Sequence, residues 1–128
     1  MDTRKDIESR LDIEILITNF YDEVKLDPVI GIIFTEIVPL NWDHHIPLIV
    51  DFWETILLDN PVYKRNAMEV HYKLHNIYPL KKDDFDSWLY LFYATLDRLF
   101  KGPVVELAKK RSRDIAELMM YKMNNPIV

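Results

Sequence analysis

The chain has 128 residues, which is enough for one complete hydrophobic core, so we expect a single domain spanning 1–128. Its 16 Lys and Arg residues against 21 Asp and Glu residues give a formal net charge of −5. This charge disfavours binding to nucleic acid or to an anionic membrane surface. The absence of cysteine from the sequence excludes disulfides, thiolate metal sites and a cysteine nucleophile. No stretch has the apolar run of a signal peptide or membrane span, so we expect a cytoplasmic protein.

Glycine is also scarce, and the sequence contains just Gly31 and Gly102. A P-loop or a dinucleotide-binding fingerprint needs several closely spaced glycines, so that the backbone can approach phosphate. Neither motif can be built from this sequence, and both routes to nucleotide binding are excluded.

Apolar residues recur at helical spacing along most of the chain, which predicts an all-α protein of five to seven helices. We expect about 1–10 and 124–128 to be flexible. Pro47 should lie in the first turn of its helix, where a missing N–H costs little. The predicted helices, of which the first is one bent helix or two, run from about Arg4 to Lys25, Pro28 to Phe34, Asp43 to Leu58, Ala67 to His75, Lys81 to Phe100 and Val104 to Met123.

The two C-terminal helices have clear apolar faces. The helix from Lys81 to Phe100 has the most regular amphipathic pattern in the sequence. The inward positions of the last helix are predicted to be Leu107, Ala108, Ile115, Leu118 and Met119.

The four histidines fall in two pairs, His44 with His45 and His71 with His75. Residues four apart share a helical face, so His71 and His75 could reach one metal ion. The pair alone is weak evidence, because such histidines are more often solvated. The glutamate of an H-E-x-x-H protease is missing, so no zinc hydrolase is predicted.

Aromatic residues with polar atoms are plentiful, with 3 Trp and 7 Tyr. Trp53 and Trp88 fall on the buried sides of two different predicted helices. Buried indoles and phenols require hydrogen-bond partners. Taken alone, Trp53 and Trp88 are best interpreted as core residues and Tyr21 as directed towards water. As a set, a Tyr, a His and a Trp from three helices, with a further His from a fourth, could converge on one cavity.

Six segments together resemble the ordered landmarks of a truncated haemoglobin, with group III the best match. The likeness covers about residues 10 to 120, and its specificity comes from order and spacing. The glycine motifs of the other two groups are absent. The landmarks are Phe20-Tyr21-Asp22-Glu23-Val24, Gly31-Ile32-Ile33-Phe34, Trp42-Asp43-His44-His45, Phe52-Trp53, His71-Tyr72-Lys73-Leu74 and Phe85-Asp86-Ser87-Trp88-Leu89.

This resemblance implies a two-over-two globin fold around one haem b, with dioxygen or another diatomic gas as ligand. His71 would be the proximal iron ligand. Tyr21, His45 and Trp88 would line the distal side as hydrogen-bond donors. The porphyrin would pack against Phe34, Ile49 and Trp53. A pocket with three donors favours tight oxygen binding, and so chemistry with nitric oxide or peroxide rather than simple transport. Such chemistry could involve a reductase partner.

Several alternatives stay open within and beside this interpretation. His75 could replace His71 as iron ligand, because its spacing to Trp88 is the more usual one. The spacings from His45 and Trp53 favour His71. Pro47 could also shift His45 relative to the iron. By position alone, the haem propionates could meet Tyr63, Lys64 and Arg65.

Two other classes of protein compete with a haem protein. The first is a helical interaction or regulatory module with a plain aromatic core, which would be colourless. The second is a non-haem metal site built from His71, His75 and Glu69, which ranks last because the Glu-x-x-His signature of such bundles is absent.

Overall fold

The computed structural model describes residues 2–37, 42–64, 75 and 78–124, and the described chain is helical, without strands. An extended segment, 2–8, precedes the first helix. A π-helical turn, Ile33–Ile37, lies between the first two α-helices. The α-helices are α1, Arg10–Leu26; α2, Trp42–Leu57; α3, Lys82–Leu99; and α4, Pro103–Asn124. The predicted helix from about Ala67 to His75 lies, apart from His75 itself, outside the described residues.

Helix α1 begins later than the sequence pattern predicts. The Ser9 side chain accepts a hydrogen bond from the backbone N–H of Asp12 and so caps the helix, which starts at Arg10 rather than near Arg4. The buried apolar residues of α1 recur at the helical spacing of the sequence pattern, and they are Ile13, Leu16, Ile17, Phe20, Tyr21 and Val24. This face brings Tyr21 into the centre of the molecule.

The predicted helix from Pro28 to Phe34 is confirmed in part. The carboxylate of Asp27 accepts the backbone N–H groups of Val29 and Ile30, at 2.9 and 3.0 Å, and its carbonyl accepts the N–H of Gly31 at 3.0 Å, which is the bonding of a helix start. Residues 28–30 form a turn and 31–32 are helical, and the π-helical turn Ile33–Ile37 then extends the segment beyond the predicted end at Phe34.

The predicted position of Pro47, in the first turn of its helix, is also wrong. Helix α2 begins at Trp42, so Pro47 lies inside it, beyond the first turn. Its ring removes one backbone hydrogen bond near the helix start. The helix nevertheless continues to Leu57 and presents Val50, Trp53 and Leu57 to the core.

An ion-pair network joins α1 to α2. The guanidinium of Arg10 donates to Asp51 at 2.7 Å and to Glu54 at 2.9 Å. Glu54 is buried, and its second oxygen accepts from the side chain of Asn60, just beyond the helix. The network fixes the two helices that carry Tyr21 and Trp53.

The N-terminal segment is docked through several contacts. Lys101 donates its backbone N–H to the carbonyl of Lys5 at 2.9 Å, and Ile7 is buried. The Asp6 carboxylate accepts the N–H groups of Val104 and Val105, at the start of α4. One predicted inward position of α4 is wrong, because Leu118 is 51% exposed. Among the described residues, no helix combines the length and the apolar character of a membrane span.

Candidate ligand-binding site

Tyr21 lies at the centre of the candidate site, on the inner face of α1 and 8% exposed. Its ring packs against Phe20 of the same helix, at 4.8 Å between centroids. The rings of Phe34 and Trp42 lie on its other sides, at 5.7 and 5.3 Å. The phenol is therefore enclosed by aromatic surface from α1, the π-helical turn and α2.

The indole of Trp88, on α3, lies close enough to the hydroxyl of Tyr21 to lower its pKa, because the indole N–H stabilises the charged phenolate. Burial raises the pKa of Tyr21 to about 12, and the Trp88 indole opposes that rise. The phenol therefore keeps its proton at neutral pH, and this O–H can donate to a further group.

His45 completes this polar cluster from α2. Its ring lies 6.4 Å from that of Tyr21 and 5.9 Å from that of Trp42, centroid to centroid. The side chain is half-buried. The three predicted distal residues are thus brought together from three helices, with His45 and Trp88 near the buried phenol of Tyr21.

Trp53 and Ile49 form an apolar wall along α2. Trp53 is buried and stacks on Phe92 of α3, with 4.9 Å between ring centroids. Ile49 is half-buried and packs against the same core, as does Phe34. The predicted apolar residues therefore belong to the core that surrounds Tyr21.

Sequence reasoning missed the roles of Trp42, Lys25 and Phe92. The ammonium of Lys25 lies 4.3 Å from the centre of the Trp42 ring. Both residues line a groove of about 350 Å³ that reaches Tyr21. Lys25 lies one turn beyond Tyr21 on α1, which could have suggested a shared face, but the sequence contains no signal for its contact with Trp42.

The proximal side of the predicted site is described in part. His71 and Arg65 lie outside the described residues, as does Glu69 of the alternative metal site. His75 is half-buried, and its Nδ1 accepts the backbone N–H of Leu80 at 2.9 Å. Tyr63 is half-buried and Lys64 is exposed. Among the residues that the structure covers, no three His, Asp or Glu side chains are grouped so that they could hold a metal ion.

Comparison with known proteins identifies the fold. No family model matches the chain, and no curated protein sequence matches it significantly. The crystal structure of group III truncated hemoglobin from Campylobacter jejuni matches it with a TM-score of 0.83 and 24% sequence identity, covering 94% of this chain and 95% of that chain. The all-α prediction and the resemblance stated from the sequence are therefore confirmed at the level of the fold. The chain has the fold of a group III truncated haemoglobin.

Proposed function

We propose that the chain binds one haem b and uses it to bind dioxygen or another diatomic gas. The observation that carries the proposal is the buried phenol of Tyr21, which lies 6.4 Å from the ring of His45, centroid to centroid, within a truncated-globin fold. Haem supplies an iron that binds such gases, and a protein tunes that binding with donors on the distal side. We further propose that the protein works in the cytoplasm, without nucleic acid or membrane partners.

The residues of the site fit such a group in their chemistry. A porphyrin requires a large apolar contact surface, which Phe34, Ile49 and Trp53 would supply. A polar ligand in an apolar pocket requires aligned donors, which Tyr21, Trp88 and His45 would supply. The phenol of Tyr21 matters most, because it is buried and protonated and its O–H can donate to a ligand.

His71 is the proposed iron ligand, in preference to His75. A metal-bound imidazole usually donates its other N–H to a carbonyl, a carboxylate or water. Nδ1 of His75 instead accepts the N–H of Leu80, so in the neutral ring the hydrogen is on Nε2. In that tautomer the lone pair of Nδ1 is occupied by the Leu80 N–H and Nε2 carries the hydrogen, so neither nitrogen is available to bind iron. This supports His71 as the iron ligand.

Titration with hemin tests the proposal directly. We expect the purified chain to bind one equivalent of hemin and to show the intense absorption band of a haem protein. His71→Ala should lose this band, whereas His75→Ala should keep it. His44→Ala is the matched control, because His44 is exposed on α2 beside His45.

Two outcomes would contradict these assignments. Loss of hemin from His75→Ala but not from His71→Ala would make His75 the ligand. A chain that stays colourless with hemin would overturn haem binding and favour a helical interaction module.

Within the haem proposal, we favour reaction with nitric oxide or peroxide, supported by a reductase partner, over simple oxygen transport. Three donors around one ligand should slow its release, which disfavours a carrier. We expect Tyr21→Phe and Trp88→Phe each to speed oxygen release by about tenfold, the effect of one hydrogen bond of ~1.4 kcal/mol.

Stopped-flow release of oxygen from the ferrous protein measures this effect. Tyr93→Phe is the control, because Tyr93 lies on α3 as Trp88 does but bonds the carbonyl of Lys109. Fast release from the unsubstituted chain, unchanged in both distal variants, would remove the basis for chemistry over transport.

A further inference from the structure

A continuous series of aromatic contacts leads from the candidate site to the protein surface. It begins at Trp88, whose ring lies 5.8 Å from that of Phe20, the neighbour of Tyr21, centroid to centroid. Its successive ring centroids are separated by 5.3, 4.9, 5.4 and 5.2 Å. We call this series the aromatic relay, and its members are Trp88, Phe92, Trp53, Phe52 and Tyr63.

The rings of the inner part of the relay are stacked and shielded from solvent. The ring planes of Trp88 and Phe92 are within 7° of parallel, and those of Phe92 and Trp53 within 26°. Phe92 and Trp53 are 0% and 3% exposed. The two indoles are therefore separated by a single phenyl ring that contacts both, with no room for water between them.

The outer end of the relay is fixed by the loop that follows α2. The hydroxyl oxygen of Thr55 accepts the backbone N–H groups of Val62 and Tyr63, at 3.2 and 3.0 Å. These bonds hold the Tyr63 ring edge-on to Phe52. Tyr63 is half-buried, so this end of the relay reaches solvent.

Trp42 is a second indole through which an electron could reach the site, and its ring centroid lies 5.3 Å from that of Tyr21. The Lys25 ammonium lies 4.3 Å from the centre of its ring. A cation over the ring face stabilises the electron-rich indole and opposes removal of an electron from it. Electrostatics therefore disfavour oxidation of Trp42 relative to Trp88 and Trp53.

We infer that the aromatic relay carries oxidising equivalents from the ligand pocket to Tyr63 at the surface, one electron at a time. Indole and phenol are the most readily oxidised aromatic side chains, and the relay has two indoles inside and a phenol at its end. The pocket end rests on the proposed function, where a peroxide would supply the one-electron oxidant.

The electron balance is simple. The peroxide-derived oxidant takes one electron from Trp88 and is reduced. Trp88 recovers an electron from Trp53 across Phe92, and Trp53 recovers one from Tyr63 across Phe52. Tyr63 loses its hydroxyl proton to water and becomes a phenoxyl radical, and both indoles are restored. The net change is one electron and one proton lost from Tyr63, whose side chain is half-buried.

Pulse radiolysis of the full-length chain tests the relay without any haem. Azidyl radicals oxidise indoles in preference to phenols, and a Trp42→Phe background leaves Trp53 and Trp88 as the tryptophans of the sequence. We expect indolyl absorbance to decay as phenoxyl absorbance grows, at a rate independent of protein concentration. Tyr63→Phe should abolish most of the phenoxyl growth and prolong the indolyl radical. Phe52→Leu should slow the transfer while leaving Tyr63 in place.

Tyr90→Phe is the matched control, because Tyr90 is 74% exposed on α3 and has no place in the relay. It should leave the transfer unchanged. The relay would be overturned if phenoxyl growth survived in Tyr63→Phe or was lost in Tyr90→Phe. It would also be overturned if the rate of that growth depended on protein concentration. Because no haem is used, radical transfer without hemin binding would refute the proposed function alone, and hemin binding without transfer would refute the relay alone.

Discussion

Tyr21 owes its chemical state to its surroundings rather than to its position in the sequence. Exposed phenols ionise with a pKa near 10, whereas burial raises the pKa of Tyr21 to about 12. The indole N–H of Trp88 stabilises the phenolate and so limits the rise. A phenol that is buried and still protonated is suited to donate to a polar ligand.

This pKa predicts how stability depends on pH. The unfolded phenol loses its proton near pH 10 and the folded phenol near pH 12, so the folded state is penalised as pH rises between these values and unaffected below them. At about pH 11, Tyr21 should lower the free energy of unfolding by ~1.4 kcal/mol. Urea unfolding at about pH 9 and pH 11 measures this loss.

Tyr21→Phe should remove that part of the alkaline loss, because phenylalanine does not titrate. Tyr90→Phe, at an exposed position, should keep it. Equal alkaline losses in the unsubstituted chain and in Tyr21→Phe would show that the phenol ionises as freely in the folded chain as in the unfolded one.

The helix ends depend on close backbone approaches that require glycine. A Cβ atom on Gly31 would lie 2.8 Å from the carbonyl oxygen of Lys25, at the end of α1. Gly102 has a φ of +147°, and a Cβ there would lie 2.5 Å from the Asp6 side chain. The two glycines therefore allow the turn after α1 and the turn before α4 to pack tightly.

Helix α4 is capped from a distant part of the chain. Its first N–H groups, those of Val104 and Val105, are accepted by Asp6 at 2.9 and 3.1 Å. Removal of such a cap costs about 1–2 kcal/mol, so Asp6→Ala should lower the free energy of unfolding by that amount. Urea denaturation measures the loss, and amide exchange should speed up in the first turn of α4.

Asp114→Ala is the control for this cap. Asp114 is an exposed carboxylate within α4, and it pairs with Lys110 at 2.8 Å. Such surface pairs contribute little, so its loss should change stability by under about 0.5 kcal/mol. Equal effects of the two substitutions would mean that Asp6 acts as an ordinary surface charge.

At the scale of the whole molecule, periodicity predicted the all-α fold and the buried faces that carry Tyr21, Trp53 and Trp88. It could not place Pro47, because a helix can continue past a proline whose lost hydrogen bond lies near its start. It also could not predict the contacts of Trp42, since these depend on how the chain enters α2 beside α1. Contacts between helices follow from crossing geometry, which a one-dimensional pattern does not contain.

Phe92 shows what this geometry contributes to the whole fold. Its ring contacts Phe20 of α1, Trp53 of α2 and Trp88 of α3, with centroids 5.1, 4.9 and 5.3 Å away. It is completely buried. Replacing such a residue by alanine leaves a cavity and costs about 3–5 kcal/mol, so Phe92→Ala should destabilise the chain by that amount.

Near-ultraviolet circular dichroism should also change in Phe92→Ala, because Trp53 and Trp88 each lose a stacked neighbour. Tyr90→Ala, two residues earlier on the exposed face of α3, should shift the free energy of unfolding by under about 0.5 kcal/mol. Phe92→Leu keeps most of the volume and should cost less than alanine. A leucine variant as unstable as the alanine variant would show that the aromatic stack, rather than the filled space, joins the three helices.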